Sequence, residues 1–237
     1  MFWGADAFDE MLAELAKDFH VVAVDIHGHG ASGYRDTMTL EGITEDFYLL
    51  LEKLSLRKVI WLGCSIGGRI GMHLALAHPE AIDSLILMST TARPDPPEIK
   101  EPMSRLWELF RAGHREDIAD SSMKFFFAPK TYRHRPELIE KYKKELIGRK
   151  EADGMFATAL ADFNRSDIGG AISRINAPTL VIVGRDDPTT PPAVAEFIAG
   201  QIPNARLEII EDANHLVAIE KPREVTKLAR EFLLGAA

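Results

Sequence analysis

Cysteine is nearly absent: Cys64 is the only one in 237 residues, so no intrachain disulfide can form and no oxidising compartment is needed. Long apolar runs are missing too. Stretches such as residues 21–24 and 180–183 fall far short of the roughly 20 residues that cross a bilayer as a helix. The opening MFWGAD has neither the basic flank nor the apolar core of a signal peptide. These absences predict a cytoplasmic protein with no membrane partner. Positive charge is the scarcer sign, with 28 Lys and Arg against 36 Asp and Glu and a formal net charge of −8. A nucleic-acid partner would require the opposite balance, and an anionic membrane surface would attract such a chain poorly. The chain contains no internal repeat and no low-complexity tract.

With 46% hydrophobic and 27% charged residues, the composition is that of an ordinary globular protein. Its length suits one large domain carrying an insertion. Short apolar runs alternate with helical periodicity, the pattern of parallel strands joined by crossover helices. Phe8, Met11, Leu12, Leu15 and Phe19 recur at helical spacing. Residues 20–26 (HVVAVDI) then read as a buried strand that runs into the glycine-rich turn 27–33. Leu40, Ile43, Phe47, Leu50, Leu51 and Leu54 mark a second helix. Further strands are expected at 59–63, 82–88, 178–183 and 207–210, with helices over 66–77, after Pro191-Pro192, and through Val225, Leu228, Ala229 and Phe232. Residues 91–174 open on a Pro-rich hinge and show helical patterns around 103–110, 116–127 and 136–147. An insertion of that length is a lid and not a connector. The expected layout is a mostly parallel α/β core in two parts, 1–90 and 175–237, with helices on both faces of the sheet and a helical cap, 91–174, between them.

The sharpest chemical signal is Gly63-Cys64-Ser65-Ile66-Gly67, set between an apolar strand and a helix. Gly-x-Ser-x-Gly is common by chance, but this context is the one a nucleophile elbow demands. The tight turn strains the serine backbone and leaves its hydroxyl exposed at a helix N-terminus, and bulkier neighbours than glycine are expected to collide there. A serine hydroxyl needs a base to take its proton, and a histidine base needs a carboxylate to orient it. Beyond the insertion the chain offers Asp186 and Asp187 in the loop after one strand and His215 in the loop after the next. Both loops lie at the carboxyl edge of the sheet, where open α/β sheets bind ligands. Asp187 is the better acid and Asp186 the second choice. His27-x-His29 sits in a glycine turn without nearby Cys or carboxylate partners and reads as structural, so neither a metal nor another cofactor is expected. Lys130, Arg133, His134 and Arg135 read first as a solvated face, second as a contact for a substrate carboxylate.

With these motifs in place the chain resembles the α/β-hydrolase superfamily along nearly its whole length. Residues 25–33 are similar to the family's Asp-x-Arg-Gly-His-Gly-x-Ser turn, with His27 where Arg is usual. Residues 63–68 match the elbow. Gly184, Asp187 and Pro191 match the acid loop, which favours Asp187, and Asn214, His215, Glu220 and Pro222 match the histidine segment. Within the superfamily, residues 67–91, Phe127-Ala128-Pro129 and residues 186–192 look like 3-oxoadipate enol-lactonases and related carboxylesterases. The resemblance implies a serine hydrolase acting on a small-molecule ester or lactone, with Ser65 as nucleophile, His215 as base, Asp187 as its orienting acid and the Ile66 N–H as oxyanion donor. A non-catalytic ligand-binding protein on the same scaffold and a cofactor-free perhydrolase are the alternatives. Phe125, Phe126, Phe127 and Trp107 in the cap are expected to set chain-length preference.

The family's chains normally begin with three more strands and a His-Gly loop that supplies a second oxyanion donor. The first helix here has no such segment before it, so the expected fold is an N-terminally shortened one. Loss of one donor costs about 10²–10³ in rate, so slow hydrolysis is expected. The two strands flanking the missing one should either pair directly or accept a strand from a second chain, a homo-oligomer completing the sheet.

Overall fold

The computed structural model describes residues 2–235. Its framework is four strands, β1 (Val59–Cys64), β2 (Ile82–Met88), β3 (Thr179–Gly184) and β4 (Ala205–Ile210). They form one parallel sheet in the order β1-β2-β3-β4. Strands buried on both faces read as continuous apolar runs, and side-chain alternation then assigns each residue a face. Leu85, Leu87, Val181 and Val183 pack with Met72, Leu74 and Ile198 on one side. Ile86, Met88, Leu180 and Ile182 pack with Met11, Leu15, Val225 and Ala229 on the other.

The helices that supply those partners carry one apolar stripe each. On the first side lie α3 (Ile66–Ala77) and α9 (Pro192–Gln201); on the second, α1 (Asp9–Leu15) and α11 (Pro222–Gly235). Helix α2 (Leu40–Lys53) starts where the Thr39 hydroxyl accepts from Gly42 N at 3.0 Å, satisfying one of the orphan donors of its first turn. It buries Leu40, Ile43, Phe47 and Leu51. One-turn α10 (Val217–Glu220) follows the loop after β4.

Between β2 and β3 stand five helices: α4 (Pro97–Arg111), α5 (Arg115–Phe126), α6 (Pro129–His134), α7 (Pro136–Gly148) and α8 (Ala152–Phe163). The sequence periodicity announces α4, α5 and α7. It misses α6, which is short, and α8, whose small residues are buried around most of its circumference and so show no stripe. Helix α8 lies directly on the 27–33 turn. A Cβ at Gly28 (φ +73°) would meet Gly154 carbonyl atoms at 2.2 Å, and Thr158 Oγ1 donates to His27 O at 2.6 Å. The cap core is aromatic and recruits the chain's start: Phe2 is fully buried and stacks on Trp107 with ring centroids 4.3 Å apart.

One expected strand does not form. Residues 20–26 belong to no sheet, and β1 is the sheet's edge among the described residues. A strand is defined by its ladder partner as much as by its own apolar sequence, and here a cavity of about 600 Å³ lined by Val21, Val22, Ala23, Val24 and Ile26 on one side and Val59, Ile60, Trp61 and Leu62 on the other separates the two segments. Direct pairing of the two flanking strands, one of the two expected remedies, is therefore not what the chain does.

Cap and core are also joined by buried charge. Arg69 of α3 binds Asp162 at the end of α8. Arg165 Nη2 lies 2.7 Å from Asp95 in the hinge, while Arg69 Nη2 lies 3.6 Å from the same carboxylate. Burial opposes the Arg69 charge, but Asp162 and Asp95 overcome it and hold the guanidinium above its ordinary range. Removing one partner from such a buried set leaves an uncompensated ion. Asp162→Ala should therefore cost about 3–5 kcal/mol, whereas Asp83→Ala, which breaks the exposed Lys58–Asp83 pair (2.9 Å), should cost under about 1 kcal/mol. Urea unfolding of the two variants beside the parent checks the contrast.

Candidate active site

Parallel strands place the loops at their carboxyl ends side by side, and the register decides which residues meet. Cys64 pairs with Met88, Met88 with Ile182, and Gly184 with Ile210. Ser65, Ser89, Arg185 to Asp187 and Asp212 to His215 thus emerge along one rim.

Ser65 sits between β1 and α3 with φ 54° and ψ −116°, in the left-handed half of the map that a non-glycine residue enters only under constraint. The constraint is a set of hydrogen bonds. Ser65 N donates to Met88 O at 2.9 Å, while Ser65 O accepts from Gly68 N (3.0 Å), Arg69 N (3.1 Å) and the Thr90 hydroxyl (2.7 Å). Trp61 Nε1 donates to Gly67 O at 2.8 Å and ties the turn back to its own strand. The two glycines of the motif are not equivalent. A Cβ on Gly63 would come within 2.2 Å of Gly67 backbone atoms, whereas a Cβ on Gly67 meets nothing within 4 Å. Only the first glycine is sterically required, which corrects the expectation that both are.

Asp187 and His215 form a buried pair. His215 Nδ1 lies 2.9 Å from Asp187 Oδ2, and both residues are under 5% exposed. The sequence did not reveal the role of the next two residues. Thr189 N, Thr189 Oγ1 and Thr190 N donate to Asp187 Oδ1 at 2.9, 2.8 and 3.0 Å, and Thr190 Oγ1 donates to Oδ2 at 2.6 Å. Burial by itself would push the Asp187 carboxyl up. The facing His215 and the bonds from His215 and Thr190 outweigh it and bring the group down to about 2. Because the Thr189 proton is committed to Asp187, its oxygen, 2.7 Å from His215 Nδ1, can only accept. Both oxygens that face Nδ1 are acceptors, so Nδ1 is the donor of this contact and Nε2 is turned away from the pair. Asp186 takes no part in this network.

The backbone of the histidine loop is held by a second carboxylate. Glu220 accepts from Asn214 N at 2.7 Å, from Ala128 N at 2.8 Å and from the Thr131 hydroxyl. Its burial pushes the carboxyl up against those bonds. The same residue thus fastens the start of α6 and the loop of His215, and Phe126 lies over the imidazole with ring centroids 5.7 Å apart.

Ser65, Ile66, His215 and Leu216 line one end of the same 600 Å³ cavity, together with Trp3 and Gly4. No hydrogen bond joins Ser65 Oγ to His215 among the described residues. Catalytic bonds of this kind commonly form only with substrate in place. The Ile66 N–H, at the first position of α3, has no acceptor among the described residues. Of the basic cap cluster, Lys130 pairs with Asp212 at 2.6 Å and Arg135 donates to Glu220 O at 3.1 Å. None of the four lines the cavity. His27 Nε2 lies 3.0 Å from Asp46. Burial pushes the Cys64 thiol up to about 12, which keeps it an inert neighbour of Ser65. No helix among the described residues is long and apolar enough to cross a membrane.

Residues 3–222 match the model of the alpha/beta hydrolase fold, and the chain belongs to the α/β-hydrolase family. Among its relatives is 3-oxoadipate enol-lactonase 2 of Acinetobacter baylyi, 28% identical over 222 residues that make up 91% of this chain and 79% of that protein. A thermophilic esterase from Thermogutta terrifontis superposes with a TM-score of 0.90 at 32% identity, over 98% of this chain and 86% of the other. The enol-lactonase of Burkholderia xenovorans does so with 0.88 at 27%, over 98% and 88%.

Two outcomes are expected from this geometry. Gly63→Ala should destabilise the fold by about 1–3 kcal/mol through overpacking, while Gly67→Ala should be neutral or stabilising by up to about 1 kcal/mol through helix propensity; chemical denaturation distinguishes them. The second outcome concerns acid. A carboxyl whose folded value lies below its unfolded one adds stability that is present above the unfolded value and lost as pH falls through the folded one. Asp187, lowered from 3.8 to about 2, should thus contribute about 2–3 kcal/mol at neutral pH, lost between about pH 4 and pH 2. Unfolding of Asp187→Asn across that window should show a shallower pH slope than the parent.

Proposed function

We propose that the protein hydrolyses carboxylic esters or lactones through a Ser65–His215–Asp187 triad and an acyl-enzyme. The observation that carries this reading is the buried Asp187–His215 pair, 2.9 Å apart, whose His215 lines one cavity with a serine held at φ 54°. The Ser65 oxygen attacks the acyl carbon as His215 Nε2 takes its proton. The tetrahedral oxyanion accepts from the Ile66 N–H. Collapse breaks the bond to the leaving oxygen, which departs with the proton from Nε2. Water then repeats the sequence on the acyl-enzyme, so that ester and water become acid and alcohol; with a lactone the two products remain one molecule. Asp187, kept ionised by the facing His215 and the bonds from Thr190, holds the Nδ1 proton and balances the imidazolium. The esterase and enol-lactonase relatives support the ester or lactone as substrate class.

Turnover of a panel of short aryl esters and lactones tests the assignment. Ser65→Ala and His215→Ala should lower kcat to background, on the order of 10⁶, and Asp187→Asn by on the order of 10⁴. A serine-directed phosphonate should add mass to the parent and not to Ser65→Ala. Equal labelling of both would overturn the nucleophile, and a larger loss from Asp186→Asn than from Asp187→Asn would overturn the acid.

A further inference from the structure

We propose that Thr189 is a positioning residue of the site: its hydroxyl oxygen is a second acceptor for the His215 Nδ1 proton, and it lets the imidazole turn toward Ser65 without losing its bond at Nδ1. The inference rests on the reading of His215 as the base and extends it to a residue outside the triad. Three observations converge. The first is distance. Thr189 Oγ1 lies 2.7 Å from His215 Nδ1, closer than Asp187 Oδ2 at 2.9 Å. The second is direction. An ionised carboxylate only accepts, so the Thr189 proton points to Asp187 Oδ1 at 2.8 Å, and the oxygen presents a lone pair to the imidazole. The third is the resting place of the ring. Both contacts at Nδ1 are made in a ring that forms no hydrogen bond with Ser65 Oγ among the described residues, so the imidazole has to turn before it can serve the serine.

The arrangement is a closed ring of hydrogen bonds. Thr189 Oγ1 binds one carboxylate oxygen, the imidazole binds the other, and hydroxyl and imidazole bind each other. The hydroxyl is fixed in that ring by its own backbone. Thr189 N and Thr190 N donate to the same Oδ1 at 2.9 and 3.0 Å, the Asx turn by which an aspartate orders the residues after it. Thr190 serves differently, since its hydroxyl bonds Oδ2 at 2.6 Å and makes no bond to the imidazole. The proposed reaction gives the second acceptor its task. Nε2 collects a proton at Ser65 Oγ and delivers it at the leaving oxygen, two places that no single ring orientation serves equally. A ring tied by one acceptor bends its Nδ1 bond each time it turns, and a hydrogen bond weakens steeply as it bends. With oxygens on two sides, the proton stays on Nδ1 and remains bonded as the ring passes from one to the other. Positive charge on the imidazolium strengthens both contacts, so the gain falls in the transition state and is read in kcat, not in KM.

Thr189→Val keeps the β-branched shape and removes the hydroxyl. It should lower kcat on an aryl ester about ten- to a hundredfold, the worth of one hydrogen bond to a charged group, with KM little changed. Thr189→Ser should restore most of the loss. Thr190→Val removes a bond to the same carboxylate but none to the imidazole, and should lower kcat less. Circular dichroism and thermal unfolding should report folded proteins throughout. Nitrogen NMR of the labelled imidazole, assigned by its loss in His215→Gln, needs no substrate and should place the neutral ring's proton on Nδ1. A proton on Nε2 overturns the proposal, because the Thr189 hydroxyl would then donate to Nδ1. So does a folded Thr189→Val with the parent's kcat, or an equal loss from Thr190→Val, which would reduce both hydroxyls to keeping the carboxylate charged. A Ser65→Ala variant as fast as the parent refutes the triad reading instead, and the nitrogen spectrum then decides the Thr189 contact alone.

Discussion

Parallel hydrogen bonding across β1, β2, β3 and β4 is the constraint on which the site rests. It aligns Cys64, Met88, Ile182 and Gly184 in neighbouring registers, so three loops far apart in sequence leave the sheet at one edge. The Ser65 turn draws on the same ladder, since its N–H continues the bonding to Met88. The left-handed backbone at Ser65, costing about 1–3 kcal/mol, is sustained because Thr90, Trp61 and the first turn of α3 all bind the peptide groups around it.

Electrostatics is divided among three buried carboxylate systems with different tasks. Asp187 receives enough donors to remain charged in a closed environment and orients His215. Glu220 receives three donors as well, yet burial raises it, and it serves as a mechanical joint between the cap and the histidine loop. Asp95 and Asp162 neutralise two guanidinium groups where the cap re-enters the core. Buried ions add little net stability when complete but tolerate no partial loss. That property suits a junction whose geometry has to be unique.

The sheet's open edge follows from the same ladder. Residues 21–26 carry every local mark of a strand, with three valines in four positions, yet without a neighbour at ladder distance their peptide groups stay unpaired. Residues of the site and of the β1 edge line one cavity.

Much of the molecule was legible from the chain alone. Continuous apolar runs marked β1, β2 and β3, and the 3.6-residue stripes marked α1, α2, α4, α5, α7 and α11, because burial on two faces or one imposes those periods directly. The elbow around Ser65 and the loops of Asp187 and His215 were legible because strand, turn and helix signals surround them in a fixed order. Other features could be decided only in three dimensions. Helix α8 has no stripe because neighbours enclose it. Gly63 and Gly67 look alike in the motif, and only the close passage of the α3 backbone makes one of them obligatory. The hydroxyls of Thr189 and Thr190 and the carboxylate of Glu220 acquire their roles through partners that no spacing specifies. Residues 20–26 show the limit most plainly: local sequence sets the apolar character, but a strand requires a partner for its hydrogen bonds, and that partner belongs to the tertiary structure.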